Sequence, residues 1–279
     1  MIACAAGRAP AATPPPTRVR PRAAPPGAAV SPTLVRAMAT LLAIDTATEG
    51  MSLALVTPQH TFTHDGEGGA KASARLIGRA LQLAGEAGIA LRDVDAFAFG
   101  AGPGAFTGLR TACSVVQGFA FATRRPVLAI DSLLLVADDA RARLAEEPAA
   151  PFDVWVAMDA RMDEVYAAAY RWADGRWQTR HAPALYTLAA LADRAACEVP
   201  MVVAGSAIDA FGARLALRAA RTVAREGSRA QALARLARAA WDRGERLAPD
   251  EAHPLYLRDK VALTTAERQA PAAAAGATA

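Results

Sequence analysis

Hydrophobic and polar positions along the chain fall into short, sharply bounded runs. Leu41-Leu42-Ala43-Ile44 ends in Asp45-Thr46-Ala47-Thr48-Glu49-Gly50, and apolar or alternating stretches follow at 51–56 and 59–65. Two turn-punctuated hairpins therefore join three antiparallel strands. Leu76, Ile77, Ala80, Leu81 and Ala84 recur at helical spacing over about 73–87, and Gly88 stops that helix. The run 94–99 predicts a strand, which passes through the glycine-rich stretch 100–108 into a helix over 108–123 with Thr107 as its N-cap. A fifth strand is expected at 126–130, then a helix capped by Ser132 and ending near 144. The pattern restarts with a strand at 152–158, a turn at 159–163, a strand at 164–172, the hairpin turn Asp174-Gly175 and a returning strand at 176–180. A helix at 188–196, a strand at 201–204, the turn Gly205-Ser206 and a helix to Arg243 opened by a Ser228/Gln231 capping box complete the series.

The order β-β-β-α-β-α-β-α is that of half of an actin, Hsp70 or sugar-kinase molecule. We therefore expect an α/β protein of this ASKHA type, with two βββαβα-type lobes and the second lobe reduced. The expected organisation is a disordered extension or misassigned start at 1–38 and an N-terminal lobe at 39–146. A smaller second lobe at 151–250, a C-terminal segment at 251–264 packing back on the core and a disordered tail at 265–279 follow. The proline- and arginine-rich opening cannot bury enough apolar surface to order itself, and translation from Met38 is the preferred reading.

Composition narrows the function classes. The 279 residues carry 31 Lys and Arg against 27 acids, but five arginines precede Met38, which leaves the remainder near −1. Overall charge thus gives no argument for nucleic-acid binding by the folded part. Between 211 and 246 there are nine arginines against three acids, read as a solvated helix face or, more sharply, an RNA or partner contact. Three distant cysteines, Cys4, Cys113 and Cys197, argue against a disulfide framework or a zinc site and fit a reducing compartment. No apolar run approaches the roughly 20 residues of a membrane span, so a cytoplasmic protein is expected. His60 and His64 imitate a metal-binding pair, but Thr61-Phe62-Thr63 between them alternates as a strand. Four strand residues separate the rings by about 13 Å, too far for one ion.

Two features carry candidate chemistry. The turn Gly102-Pro103-Gly104 between a strand and a helix can present N–H groups to an anion, and it can equally be a tight connection. Asp45, at a strand end and followed by hydroxyl residues, occupies the place where phosphotransferases set a carboxylate beside a phosphate or metal; a lone acid there is also an ordinary turn former. Asp45, Thr46, Gly102, Gly104, Thr107 and Arg110 make up the candidate anion site, read as vestigial.

Four blocks, 42–49, 102–110, 158–166 and 254–258, resemble in the same order the TsaB (YeaZ) family of tRNA threonylcarbamoyladenosine biosynthesis proteins, over about 40–262. The resemblance implies a non-catalytic partner that forms a heterodimer with TsaD and activates it. TsaD transfers the threonylcarbamoyl group to the adenosine following the anticodon of tRNAs reading ANN codons. The TsaE ATPase would join the complex, self-association is open, and tRNA would be met only indirectly. No cofactor of its own is implied; ATP or ADP would sit at the junction of the TsaD-containing complex. Pairing would use the two N-lobe helices, through Leu76, Arg79, Ala80, Leu83, Leu109, Ala112, Cys113, Val116 and Gly118. The residues agree with a non-enzyme. Catalytic relatives hold metal with a helical H-x-x-x-H, whereas 71–75 here has no histidine. Asp45 is followed by Thr46, Ala47 and Thr48 rather than the glycine of kinase phosphate loops, and only Gly205 stands where kinases pair glycines at adenosine. The alternative is an independent ASKHA-type small-molecule kinase or NTPase using Asp45 and the glycine-rich turn. A peptidase finds no support, because no histidine lies near a candidate nucleophile in sequence.

Overall fold

The computed structural model describes residues 39–68, 72–147, 149–196 and 201–258. The extension at 1–38, the tail at 265–279, Lys71 and Cys197 lie outside the described residues.

The first sheet holds β1 (Leu41–Asp45), β2 (Gly50–Val56), β3 (Thr61–Glu67), β4 (Ala96–Gly102) and β5 (Val127–Asp131), ordered β3-β2-β1-β4-β5. Its helices are α1 (Ala72–Glu86), α2 (Phe106–Thr123) and α3 (Ser132–Leu144). The second half supplies β6 (Phe152–Asp159), β7 (Glu164–Ala173), β8 (Arg176–Thr187), α4 (Leu188–Ala195), β9 (Val202–Ala204), α5 (Ala207–Phe211), β10 (Arg221–Val223) and α6 (Arg229–Asp242). Its sheet runs β8-β7-β6-β9-β10. In each sheet the first three strands pair antiparallel and the next two join in parallel. The chain thus runs through one βββαβαβα plan twice, as an ASKHA-like α/β fold. The second copy is reduced, with β9 and β10 three residues each and α5 five.

Alternation along β1 explains the layering. Leu42 and Ile44 point to one side, where α1 and α2 close a core with Leu76, Leu83, Phe97, Phe99, Ala112 and Val116. Leu41 and Ala43 point to the other, against Leu135 of α3 and the α6 stripe Leu233, Leu236, Ala237 and Ala240. Both faces are covered, so β1 is apolar from Leu41 to Ile44 rather than alternating. Leu133, Val136, Ala137 and Ala140 of α3 pack on the second sheet with Val154, Val156 and Tyr170, while α4 and α5 cover its far face. The last helix of each half therefore lies between the sheets. α6, sequentially within 151–250, covers the first sheet.

Several boundaries differ from the sequence expectation for identifiable reasons. α2 begins at Phe106 with extended Ala105 as its N-cap and no side-chain cap; Thr107 lies in the first turn, where its carbonyl accepts from the Thr111 hydroxyl. α3 is capped by Asp131 rather than Ser132, because the Asp131 carboxylate accepts from the N–H groups of Leu133 and Leu134 at 2.9 and 3.3 Å. β8 continues past Arg180 to Thr187, its register with β7 shifting at bulges near Ala169. Ser228 does cap α6, accepting from the Gln231 N–H at 3.2 Å.

Candidate functional site

The four sequence blocks meet at a cleft of about 970 Å³ between the two halves. Its walls are the β1–β2 turn at 47–50, the glycine-rich turn with Phe106 and Leu109, the start of α3, the β6–β7 turn, and residues 255–258. Ser206, Asp209, Arg225, Glu226 and Arg229 also line it.

Asp45 does not line this cleft but bonds Ala47, Ser132 and Arg229, which do, and its side chain is fully buried. Its Oδ1 accepts from Arg229 Nε at 2.8 Å and from the Ala47 N–H at 3.0 Å, and its Oδ2 from the Ser132 hydroxyl at 3.2 Å. A Cβ on Gly100 would overlap Oδ2, so β4 presses directly against the carboxylate. Arg229 also bonds both Glu226 oxygens, at 2.9 and 2.8 Å, and the Ser132 carbonyl at 3.1 Å. Burial alone would lower the Arg229 pKa; the Asp45 and Glu226 carboxylates outweigh it and raise it, so the guanidinium stays charged. Of the two readings the sequence left open for Asp45, the geometry favours the structural one: the carboxylate is an ion-paired pin between β1 and α6.

The glycine-rich turn is tight for the same kind of reason. A Cβ on Gly104 would overlap the Ala47 carbonyl oxygen, and one on Gly108 that of Thr46. The Thr46 hydroxyl donates to the Gly108 carbonyl at 2.7 Å. The Ala105 N–H is spent on the Ala47 carbonyl at 2.7 Å and the Gly102 N–H on the Ser132 hydroxyl at 3.0 Å. Gly102 has φ +106°, and a Cβ there would lie 2.9 Å from the Leu255 carbonyl oxygen. Of the anion cradle and the tight connection that the sequence left open, the backbone packing favours the tight connection. Arg110 turns away from Asp45: its Nε donates to the Tyr256 hydroxyl at 3.1 Å and its guanidinium lies 4.0 Å over the Phe106 ring.

The expected partner residues need a larger correction. Leu76, Ala80, Leu83, Leu109, Ala112, Cys113 and Val116 are all buried in this chain's own interior. The Cys113 thiol, its pKa pushed up by burial, donates to the Ala252 carbonyl at 3.2 Å. Arg79 is half-buried, with Nη2 3.0 Å from His64 Nδ1; burial, then the Arg79 charge, lowers the His64 pKa. Gly118 is exposed, and a Cβ there would meet nothing. The surfaces of the same helices instead carry Ile77, 46% exposed, Leu81, 48%, and Phe121, 57%. Sequence reasoning set Ile77 and Leu81 in one apolar stripe with Leu76, Ala80 and Ala84 and gave the partner surface to Leu76, Arg79, Ala80 and Leu83. The signal against it was the width of that stripe, since 76, 77, 80, 81 and 84 span more arc than one core-facing side.

Elsewhere, eight of the nine arginines at 211–246 have partners within the chain. Arg235 pairs with Asp138 at 2.6 Å, Arg225 with Asp209 at 3.1 Å and Arg214 with Asp163 at 3.2 Å, and Arg243 with Glu245 at 2.6 Å. Arg221, Arg238 and Arg246 donate to the carbonyls of Leu144, Ala39 and Trp241, and Arg229 is described above. Among the described residues no group of three or more His, Cys, Asp or Glu could hold a metal ion, and no helix is long and apolar enough to cross a membrane.

The family model described as TsaD, tRNA N6-adenosine threonylcarbamoyltransferase, matches residues 67–262. The chain is 40% identical over 128 residues to the tRNA threonylcarbamoyladenosine biosynthesis protein TsaB of Haemophilus influenzae, covering 46% of this chain and 52% of that protein. It is 34% identical over 131 residues to TsaB of Escherichia coli, covering 47% and 54%. The aligned part thus spans about half the length of these curated relatives. Among solved structures, YeaZ from Pseudomonas aeruginosa superposes with a TM-score of 0.68 at 37% identity, covering 79% of this chain and 100% of that one.

Proposed function

The chain belongs to the TsaB (YeaZ) family, and from that premise we propose that it serves tRNA threonylcarbamoyladenosine biosynthesis as the non-catalytic partner of a TsaD transferase. It acts by heterodimerisation and activation, with TsaE joining the larger assembly and tRNA met through the transferase. The observation that supports this reading is Asp45: the carboxylate at the end of β1 is buried and paired with Arg229. The outward faces of α1 and α2, with Ile77, Leu81 and Phe121, form the partner surface in this reading. Any nucleotide in the complex would then sit at the junction with TsaD.

The test is co-purification with TsaD, with analysis of tRNA nucleosides from depleted cells. Ile77→Glu with Leu81→Glu should abolish co-elution while the melting temperature stays close to the wild type, because exposed substitutions change stability by about 0.5 kcal/mol or less. Normal levels of the modified nucleoside in depleted cells would defeat the proposal. The size of the cleft favours one alternative, an independent kinase or NTPase. Calorimetry of the isolated protein with Mg-ATP separates the two, since micromolar binding with turnover favours the enzyme.

A further inference from the structure

After α6 the chain lies along α2 before it crosses to the other half. Gln117 Nε2 donates to the carbonyls of Pro249 and Ala252 at 2.9 and 3.1 Å, and Ala252 is fully buried. The Leu255 N–H then bonds the Ala101 carbonyl at 2.7 Å, beside the glycine-rich turn. Tyr256 meets the first turn of α2 twice, its hydroxyl accepting from Arg110 and its ring centroid 5.2 Å from that of Phe106. Two residues later the contacts change sides. Arg258 Nη2 lies 2.9 Å from the Ala160 carbonyl oxygen, 3.2 Å from that of Arg161 and 2.6 Å from Glu164 Oε2, all on the β6–β7 turn. Only 12% of its side chain is exposed.

Both ends of this tie need it. At the α2 end Ala105 gives no side-chain cap, and the contacts of Tyr256 with Phe106 and Arg110 hold that end of the helix. At the other end, Arg161, Met162 and Asp163 hold φ of 66°, 60° and 58°, three successive left-handed residues with Cβ atoms. Such a run persists only where its surroundings over-determine it.

We propose that residues 253–258 are a strap that fixes the first turn of α2 from the second half of the molecule, with Arg258 as its positioning residue. The strap spans the cleft, so the arrangement of the β6–β7 turn is transmitted to α2. That this tunes partner binding rests on the reading of α1 and α2 as the partner surface.

Hydrogen exchange on the full chain tests the strap. Arg258→Met keeps the apolar stem and removes the guanidinium. Exchange should rise at least tenfold both at 160–164 and at 109–113, the first hydrogen-bonded amides of α2, and affinity for TsaD should fall about tenfold. Faster exchange confined to 160–164 would overturn the strap, because Arg258 would then only hold its own turn. Should Arg258→Met fail to fold, Arg258→Lys, which keeps the charge opposite Glu164, is expected to loosen both segments partly; loosening of 160–164 alone again refutes the tie. Raised exchange in α2 with unchanged TsaD affinity would keep the strap and overturn the partner surface.

Discussion

Replacing Asp45 by alanine separates a structural carboxylate from a catalytic one. The substitution leaves the Arg229 guanidinium, whose side chain is only 8% exposed, facing Glu226 alone. It also strands the Ser132 hydroxyl and the Ala47 N–H, whose acceptor is gone. Arg229 keeps its pairing with Glu226, so the cost is that of the lost charge-assisted bond together with two stranded buried donors, about 3–5 kcal/mol in all. For a domain of this size each kcal/mol lowers the melting temperature by roughly 2–4 °C, so the variant should melt about 6–20 °C below the wild type. Arg229→Met should cost a similar amount, since it leaves the buried carboxylate of Asp45 without its cation. The double variant should be less destabilised than the two single losses combined, as expected for groups in direct contact. Thermal melts followed by circular dichroism, with an ATP turnover assay on the same samples, read both possibilities. An Asp45→Ala protein that melts within about 2 °C of the wild type and loses a measurable ATP turnover would refute the structural assignment.

Two further outcomes follow from the same packing. Gly108→Ala should destabilise by about 1–3 kcal/mol or more, because the new methyl meets the Thr46 backbone, whereas Gly118→Ala on the same helix should be neutral or stabilising by up to about 1 kcal/mol; equal melting of the two would show that the close approach at Gly108 is unimportant. Burial pushes the Asp131 pKa up, against the pull of its bonds from Tyr170, Leu133 and Leu134. A carboxyl with a raised folded pKa binds its proton more tightly folded than unfolded, so its contribution to stability is lost as pH rises from its unfolded value through its folded one. Asp131→Asn, which preserves the helix cap, should therefore gain on the wild type in melts from pH 4 to pH 7; a constant or shrinking difference would contradict this.

Most of the element order was legible because β1, β2 and the helix stripes announce themselves by period, and because hairpin turns such as Asp174-Gly175 are local; α5 and β10, five and three residues long, were missed because so short a run shows no period. The strand that carries His64, with His60 just before it, was legible because alternation is visible in the sequence itself. What the sequence hid was pairing at a distance. Asp45 reads as a free carboxylate until Arg229, 184 positions away, is brought against it. Gly102 reads as a phosphate-loop glycine until the Leu255 carbonyl occupies the space a side chain would need. The faces of α1 were misjudged because Leu76 and Ile77 are chemically alike, and only the sheet beneath decides which is covered. Ser132 and Asp131 are both good caps, and the demand of Asp45 for a donor settles which one serves.

The exchange of helices between the halves has a consequence for the chain as it is made. The first sheet is complete at Asp131, yet its face toward the other half stays bare of α6 until Asp242 has emerged. That is roughly a hundred residues later, or about 5–20 seconds at the usual pace of synthesis. Through that interval Leu41, Ala43, Ala54 and Val56 present a sticky face to the cell, and a nascent chain cut between the halves carries that face permanently. Neither half is a finished product, and the newborn first half depends on protection until its last helix arrives.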